Sequence, residues 1–441
     1  MITDTIFALA SAPGRAGVQV IRLSGPQAGD ALRALAGKLP DPRAATLASL
    51  RDPATGEVFD KGLILWFPGP ASFTGEDVAE LHLHGGRAVL QAATAALTAL
   101  GLRVAEPGEF SRRAFEHGKL DLTEAEAIAD LVDAETAAQR RQALRQMDGA
   151  LGRLYEGWRA RLTRALAHIE ADIDFPDEDL PDGVAAAMRP ELAALAAEIA
   201  AHLEDSGRGE RLRDGIAIAI LGAPNAGKSS LLNAIARRDV AIVSAQAGTT
   251  RDVIEAQLDL EGYPVTLADT AGLRETLDAV ESEGIRRALD RAANADLKLL
   301  VFDAARWPDL DAPTLALLDG DAIPVLNKVD ATPVAAPVLS GRPVVAVSAE
   351  TGAGLPELLR AIATAVADRY APGAAPALTR ARQRAALEDC HHALSRALAA
   401  GLPELAAEDV RLAARALGRI TGRVDVEDLL DVIFRDFCIG K

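Results

Sequence analysis

The sequence predicts a multidomain protein: an α+β N-terminal domain, an all-helical central domain built from two chain segments, and an α/β domain with a doubly wound parallel sheet inserted between them. Three observations predict it. The chain has 441 residues, and a single core rarely grows past about 250–300. The residue pattern changes near residues 118, 214 and 371. In the third portion, short apolar runs alternate with helix-length intervals, which is the sequence form of a parallel sheet covered on both faces.

Residues 1–118 mix β-like runs, Val18 to Leu23, Gly62 to Phe67 and Val78 to Leu83, with helical stretches and with loops such as Phe67-Pro-Gly-Pro-Ala-Ser-Phe-Thr-Gly75. That mixture is expected of one α+β domain. From 119 to 213 Ala, Leu, Glu and Arg recur at helical spacing, with one joint at Phe175-Pro-Asp-Glu-Asp-Leu-Pro-Asp-Gly183. From 214 to 371 five apolar runs follow: Gly215 to Leu221, Val265 to Ala268, Leu297 to Phe302, Ile323 to Leu326 and Val344 to Val347. After Tyr370-Ala-Pro-Gly-Ala-Ala-Pro376, helical text returns and occupies the segment 372–441. The two helical segments are therefore expected to pack together, with the α/β domain inserted between them. No repeat of fixed period is visible.

Composition narrows the function. With 49% hydrophobic residues, the chain is not disordered as a whole. A net charge of −17 disfavours general adhesion to nucleic acid but leaves room for a local basic groove. Two cysteines, Cys390 and Cys438, make no disulfide framework and suit reduced thiols. The start, Met1-Ile-Thr-Asp-Thr-Ile, has no basic leader pattern, and no apolar run reaches the roughly 18–20 residues of a membrane span. A soluble cytoplasmic protein with no membrane span is expected. Lysine is rare: seven among 47 basic residues, so a motif that uses Lys stands out against the arginine background.

Gly222-Ala-Pro-Asn225-Ala226-Gly227-Lys228-Ser229-Ser230 follows an apolar strand and opens a helix, the context that identifies a phosphate-binding loop. Its backbone N–H groups close around phosphates, Lys228 reaches the β and γ oxygens, and Ser229 can ligate Mg²⁺. Asp269-Thr270-Ala271-Gly272 stands directly after the strand Val265 to Ala268. Its acid can orient Mg²⁺ through water, and its Gly N–H can touch the γ-phosphate. Asn327-Lys328-Val-Asp330 closes another strand, and a carboxylate at Asp330 can accept both N1–H and the N2 amine of guanine, which adenine does not present. Ser348-Ala349-Glu350 follows the last strand and completes a base pocket. In this order, each at the carboxyl end of its strand, the motifs make a GTP site.

Leu273 follows Gly272 where many switch GTPases carry a water-orienting Gln, so hydrolysis must use other groups. Gly248-Thr249-Thr250-Arg251-Asp252 is a candidate switch loop, with Thr250 as a second Mg²⁺ ligand. Arg251 reads either as an arginine finger or as the partner of a nearby acid such as Asp252. His82 and His84 stand two apart on a strand, a spacing any half-buried strand face shares, and no third metal ligand is apparent.

Over essentially its whole length the chain resembles the MnmE (TrmE) family of tRNA-modifying GTPases. The resemblance is carried by Asp4-Thr-Ile6, Pro13-Gly-Arg-Ala-Gly17, Leu65-Trp-Phe-Pro-Gly-Pro-Ala-Ser-Phe-Thr-Gly-Glu-Asp77, His84-Gly-Gly86, Pro107-Gly-Glu-Phe-Ser111, Lys119-Leu-Asp-Leu-Thr-Glu-Ala-Glu-Ala-Ile128, Asp174-Phe-Pro-Asp-Glu178 and Phe437-Cys-Ile-Gly-Lys441. These flanking motifs are far more specific than the shared GTPase set.

The resemblance implies an N-terminal tetrahydrofolate-binding domain, with two such domains forming a homodimer. The folate derivative is 5,10-methylene- or 5-formyl-tetrahydrofolate, contacted at Arg22, Glu80, Lys119 and Lys441. It also implies a flavin-dependent partner of the MnmG type, in a heterotetramer or larger assembly. Together the two install a carboxymethylaminomethyl or aminomethyl group at carbon 5 of the wobble uridine of certain tRNAs. In the GTPase domain it implies K⁺ held by Asn225, Ser244, Gln246 and Thr249, and Glu281 as the carboxylate that orients water, beside Lys228 and Thr250 in catalysis. Cys438 has a nucleophilic reading and a packing reading.

A regulatory or ribosome-assembly GTPase is the rival function, and a folate-binding structural module a third. Assembly GTPases usually append a basic RNA-binding module. Here the residues after 376 carry Glu404, Glu408, Asp409, Asp425, Glu427, Asp428 and Asp431 instead.

Overall fold

The computed structural model describes residues 4–174, 184–205, 207–238, 240–242, 255–269, 295–335, 337–371, 376–424, 427–435, 437 and 440. Up to residue 214 the strands are β1 (Ile6–Leu9), β2 (Ala16–Ser24), β3 (Thr46–Arg51), β4 (Val58–Phe67), β5 (Val78–Gly85) and β6 (Arg103–Val104). The helices there are α1 (Ala28–Ala36), α2 (Arg87–Ala99), α3 (Glu109–Glu116), α4 (Leu122–Val132), α5 (Ala137–Met147), α6 (Ala150–Asp174), α7 (Val184–Leu203) and α8 (Arg208–Asp214). Next come β7 (Ile216–Leu221), α9 (Lys228–Ala236), β8 (Glu255–Leu260), β9 (Tyr263–Asp269), β10 (Leu297–Asp303), α10 (Ala312–Leu315), β11 (Ala322–Asn327), β12 (Val338–Leu339), β13 (Arg342–Pro343), β14 (Val345–Ala346) and α11 (Leu355–Tyr370). The chain ends with α12 (Ala381–Ala399), α13 (Pro403–Thr421) and α14 (Glu427–Arg435).

These elements form two compact units: residues 1–129, 146–196 and 386–441 in one, 130–145 and 197–385 in the other. The first holds a six-stranded sheet in the order β3-β4-β5-β2-β1-β6. Its strands alternate, so Ile21, Leu23, Ile64, Trp66, Ala79 and Leu81 point to one face and join Leu32, Leu35 and Leu97 of α1 and α2 in the core. The opposite face carries Arg22 and Glu80, directly paired across β2 and β5.

In the same unit α6 packs antiparallel on α13. Tyr155, Trp158, Leu162, Ala165 and Ile169 of α6 and Val410, Ala413, Leu417 and Ile420 of α13 are buried at helical spacing. Ion pairs mark the two ends of the contact: Glu156 with Arg423 at 2.7 Å and Glu170 with Arg411 at 2.6 Å. The two helical segments thus pack together, as the sequence predicts. The joint at 175–183 lies outside the described residues.

The second unit holds a sheet in the order β14-β11-β10-β7-β9-β8. The five predicted strands all form and pair in parallel. A sixth, β8, corrects the all-parallel expectation, because it pairs antiparallel with β9. Residues Ala256, Leu258 and Leu260 face in and Glu255, Gln257 and Asp259 face out or sit half-buried, an alternation with no apolar run to announce it. The hairpin closes through Glu261 and Gly262 at φ 53° and 90°, which suits a two-residue turn. Asp259 Oδ1 accepts from Gly262 N at 2.7 Å.

Candidate functional site: a phosphate loop tied to a base-recognition loop

β7 runs Ile-Ala-Ile-Ala-Ile-Leu at the centre of its sheet and ends at Gly222, where a Cβ would stand 2.3 Å from Val301 O of β10. The loop then turns through Asn225 at φ 63° and Gly227 at φ 92° before α9 begins at Lys228. A side chain at Gly227 would be strained by that φ, and its Cβ would lie 2.3 Å from Asn327 Nδ2. Both glycines are therefore set by close approach of a neighbouring strand or loop. Lys228 is buried, and its ammonium donates to the carbonyls of Gly222 at 2.9 Å and Ala223 at 3.0 Å, across the hollow of the loop. Ser229 and Ser230 stand exposed in the first turn of α9, where the helix dipole favours an anion.

Asn327, at the carboxyl end of β11, is 1% exposed and uses both ends of its amide. Its Nδ2 donates to Ala226 O at 3.0 Å, and its Oδ1 accepts from Ala349 N at 3.1 Å. One side chain thereby ties the phosphate loop to the Ser348-Ala349 loop. Lys328, at φ 67°, donates to Asn225 O and to Asp303 Oδ2, each at 2.7 Å. Burial raises the Asp303 carboxyl, but the hydrogen bonds from Lys328 and Ala305 N together with the charges of Lys328 and Arg306 outweigh it and hold the group below the usual range. Asp330 is exposed three residues past the strand end, and Ser348 Oγ accepts from Thr351 N at 3.1 Å.

The structure therefore brings Gly222, Asn225, Ala226, Gly227, Lys228, Asn327, Lys328, Ser348 and Ala349 into one connected group. The β9 backbone carries Asp269 to the same sheet edge, paired with Ile220. The Asp269 side chain, Thr270, Ala271, Gly272, Leu273, Glu281, Ser244, Gln246, Thr249, Thr250 and Arg251 lie outside what is described. Asp303 went unread from sequence. It is an acid at a strand end with no motif around it, and only its pairing with Lys328 gives it a role.

A second concave site lies on the open face of the N-terminal sheet, a cavity of about 470 Å³ walled by Arg22, Glu80, Arg43, Phe67 and Phe73 among others. Arg22 donates Nε and Nη2 to Glu80 Oε1 at 3.2 Å, and His82 Nε2 lies 3.2 Å from Oε2 of the same carboxylate. The Arg22 guanidinium stands 5.6 Å from the Phe73 ring centroid and that of Arg43 5.7 Å from Phe67. Lys119 donates to Pro70 O at 2.9 Å in the loop that frames the cavity. Arg43 was not foreseen, because its neighbours along the chain carry no motif and only the fold brings it to Phe67.

His84 bonds Asp60 at 2.8 Å. Among the described residues no group of three or more His, Cys, Asp or Glu could hold a metal, and no helix is long and apolar enough to cross a membrane. Cys390 is buried in α12, and burial pushes its thiol up to about 12. Cys438 and Lys441 lie outside the described residues, but Gly440 between them packs on β1. It is at φ 101°, and a Cβ there would stand 2.3 Å from Leu9 O.

A mostly parallel sheet whose central strand feeds a Gly-Lys-Ser loop, with an Asn-Lys-x-Asp element tied to that loop, defines a P-loop GTP-binding protein. The chain belongs to the MnmE family: a family model described as MnmE helical domain matches residues 122–438, and one described as GTP-binding protein TrmE N-terminus matches 5–119. It is 63% identical to the tRNA modification GTPase MnmE of Paramagnetospirillum magneticum, with 100% of both chains covered. It is 60% identical to that of Parvibaculum lavamentivorans, covering 99% of this chain and 100% of the relative. Among solved structures, the G domain of the T. maritima FeoB iron transporter covers 34% of this chain and 98% of its own, at 27% identity and TM-score 0.26.

Proposed function

We propose that this chain hydrolyses GTP and couples the hydrolysis to modification of the wobble uridine of certain tRNAs. On this reading it adds a carboxymethylaminomethyl or aminomethyl group at carbon 5, with a folate one-carbon unit and a flavoprotein partner of the MnmG type. The observation that carries the reading is the side chain of Asn327, which ties the phosphate loop to the base loop so that one nucleotide can engage both. Identity of 63% with a tRNA modification GTPase over the full length supports the second half.

In this reading the N–H groups of the phosphate loop, the α9 N-terminus and Lys228 bind the triphosphate, while Asp330 with Ser348 and Ala349 reads guanine. The hydroxyl donors fit magnesium: Ser229 opens α9 beside Lys228, and Thr250 would join it. Bound there, Mg²⁺ neutralises charge on the β and γ oxygens. Asn225, at the apex of the loop, would hold K⁺ with Ser244, Gln246 and Thr249, and Glu281 would orient water. The potassium reading rests on Leu273, which cannot position water, and on the need for a cation in its absence. GTPase rates are therefore expected to be clearly higher in potassium chloride than in matched sodium chloride. Equal rates would remove the ion from the mechanism.

The cavity around Arg22 and Glu80 fits a reduced folate in chemistry. It offers a carboxylate acceptor for a pterin amide and amine, aromatic faces at Phe67 and Phe73, and cations for a glutamate tail. We assign the folate to Arg22, Glu80, Lys119 and Lys441; Gly440, the residue before Lys441 in sequence, packs on β1. Gly440→Val is then expected to abolish tRNA modification while GTP hydrolysis persists, and parallel loss of both would contradict the assignment. A homodimer through the N-terminal domain, a cytoplasmic location and domain boundaries at 118, 213 and 371 belong to the same proposal. Nucleoside analysis of tRNA from a deletion strain tests the whole: intact wobble modification there would leave the regulatory or assembly GTPase as the better reading.

A further inference from the structure

The acidic balance of the chain, −17, leaves open where a polyanion such as tRNA could rest. The helix α5 stands out against that background. Its sequence, Ala-Ala-Gln-Arg-Arg-Gln-Ala-Leu-Arg-Gln-Met, holds Arg140, Arg141 and Arg145 and no acid. All three arginines are exposed, and among the described residues none has a hydrogen bond or ion pair to a carboxylate.

Other arginines of the same unit behave differently. Arg213 and Arg380 both pair with Asp130, Arg384 with Asp205 and Glu210, and Arg211 with Asp296. Those guanidiniums are spent on the fold, whereas the charge on α5 is left to solvent.

The reason lies on the inner side of the helix. Gln139 Nε2 donates to Arg213 O at 3.0 Å, and Gln142 Nε2 donates to Gly209 O at 2.9 Å. Ala138 N donates to Gly262 O at 2.9 Å, and Ala138 and Ala143 are buried. Two glutamines and two alanines thus clamp one face, which fixes Arg140, Arg141, Leu144 and Arg145 on the other. Arg141 and Arg145 are one turn apart, about 6 Å along the axis, so their guanidiniums can meet successive phosphates of one strand. The large apolar side chains exposed on α5 are Leu144, at 39%, and Met147 at its last position, at 37%. A protein partner would be expected to cover a larger apolar centre.

We propose that the outer face of α5, through Arg140, Arg141 and Arg145, is a docking surface for the phosphate backbone of tRNA. The proposal rests on the tRNA-modifying reading above and adds where the RNA sits. Such contacts are electrostatic and independent of sequence, so they position the RNA and leave base recognition to other groups. The carboxylates at the two ends of the helix, Asp133, Glu135 and Asp148, would border the track and repel a misplaced backbone.

The test uses the full-length chain, bound to tRNA at several salt concentrations, as wild type, as Arg140→Gln/Arg141→Gln/Arg145→Gln and as the matching triple Lys variant. The Gln variant is expected to bind tRNA on the order of ten- to a hundredfold more weakly at low salt. Its log K against log salt should be shallower by about 2–3, as three phosphate contacts disappear. The Lys variant, which keeps the charge, should bind close to wild type, and GTP hydrolysis should be unchanged in both. Equal tRNA affinity and salt slope in wild type and Gln variant would overturn the proposal while leaving the tRNA-modifying reading intact. Loss of the flavoprotein partner with tRNA binding retained would overturn it in favour of a protein interface. Failure of the wild-type chain to bind tRNA, alone or with that partner, would strike the functional reading itself.

Discussion

Asp330→Asn is expected to move base preference from guanine toward xanthine. A carboxylate accepts both N1–H and the N2 amine of guanine. An amide keeps one acceptor for N1–H and turns its N–H donors toward the amine, while xanthine offers a carbonyl at position 2 instead. Each charge-assisted bond is worth about 1.5–3 kcal/mol, so the loss of one bond and the added donor clash should weaken GTP binding by on the order of a hundredfold or more. The fold should be unaffected, since Asp330 is exposed, and Asn327 rather than Asp330 ties the loops together. Affinities for GTP and xanthosine triphosphate, measured side by side, decide the matter. Undiminished GTP binding with no gain for xanthosine triphosphate would mean that Asp330 does not read the base.

The largest stability effect is expected at Arg113, in α3 of the N-terminal unit. Its guanidinium is 2% exposed and joins Asp4 at 2.8 Å, Glu109 at 3.0 Å and Glu76 at 3.2 Å. Replacing it with Met leaves Glu76 and Glu109, both largely buried, without that partner. Breaking a buried ionic group in this way costs about 3–5 kcal/mol, a large part of a domain's stability.

The pH dependence gives the sign. Burial alone would raise the Asp4 and Glu109 carboxyls, but hydrogen bonds from Arg103 and the charge and hydrogen bonds of Arg113 bring both below their ordinary values. Groups lowered in the folded state stabilise it above their unfolded pKa, near 4, and that contribution fades as pH falls through the folded value. The penalty of Arg113→Met should therefore be full at pH 7 and shrink below about pH 4, where carboxyls in both proteins take up protons. Denaturant unfolding of wild type and variant at pH 7 and pH 3.5 reads this out, and an equal penalty at both would show that packing rather than charge is what Arg113 supplies.

Short-range signals settled the nucleotide domain. A phosphate loop, an Asp-Thr-Ala-Gly and an Asn-Lys-x-Asp each act through residues a few positions apart, and each announces itself because its chemistry needs those types at that spacing. The five parallel strands were equally plain, since a strand buried on both faces must be apolar at nearly every position. So was the pairing of two helical segments across the inserted domain, because α6 and α13 each carry an apolar stripe too wide to leave in water.

Other features were decided only by tertiary contact. The half-buried β8 shows alternation without an apolar run, and it is a strand because β9 lies beside it. Asn327 reads from sequence as a nucleotide contact, yet both ends of its amide are spent on Ala226 and Ala349, 101 and 22 residues away. Arg113 and Arg140 look alike in sequence, each the second or first of an Arg-Arg pair on a helix. One is buried among three carboxylates and the other is exposed without one, because the folded chain carries Asp4 and Glu76 to the first, beside Glu109 of its own helix, and no acid to the second. Local chemistry is written in neighbouring residues, whereas burial and charge pairing depend on which distant segments the fold brings together.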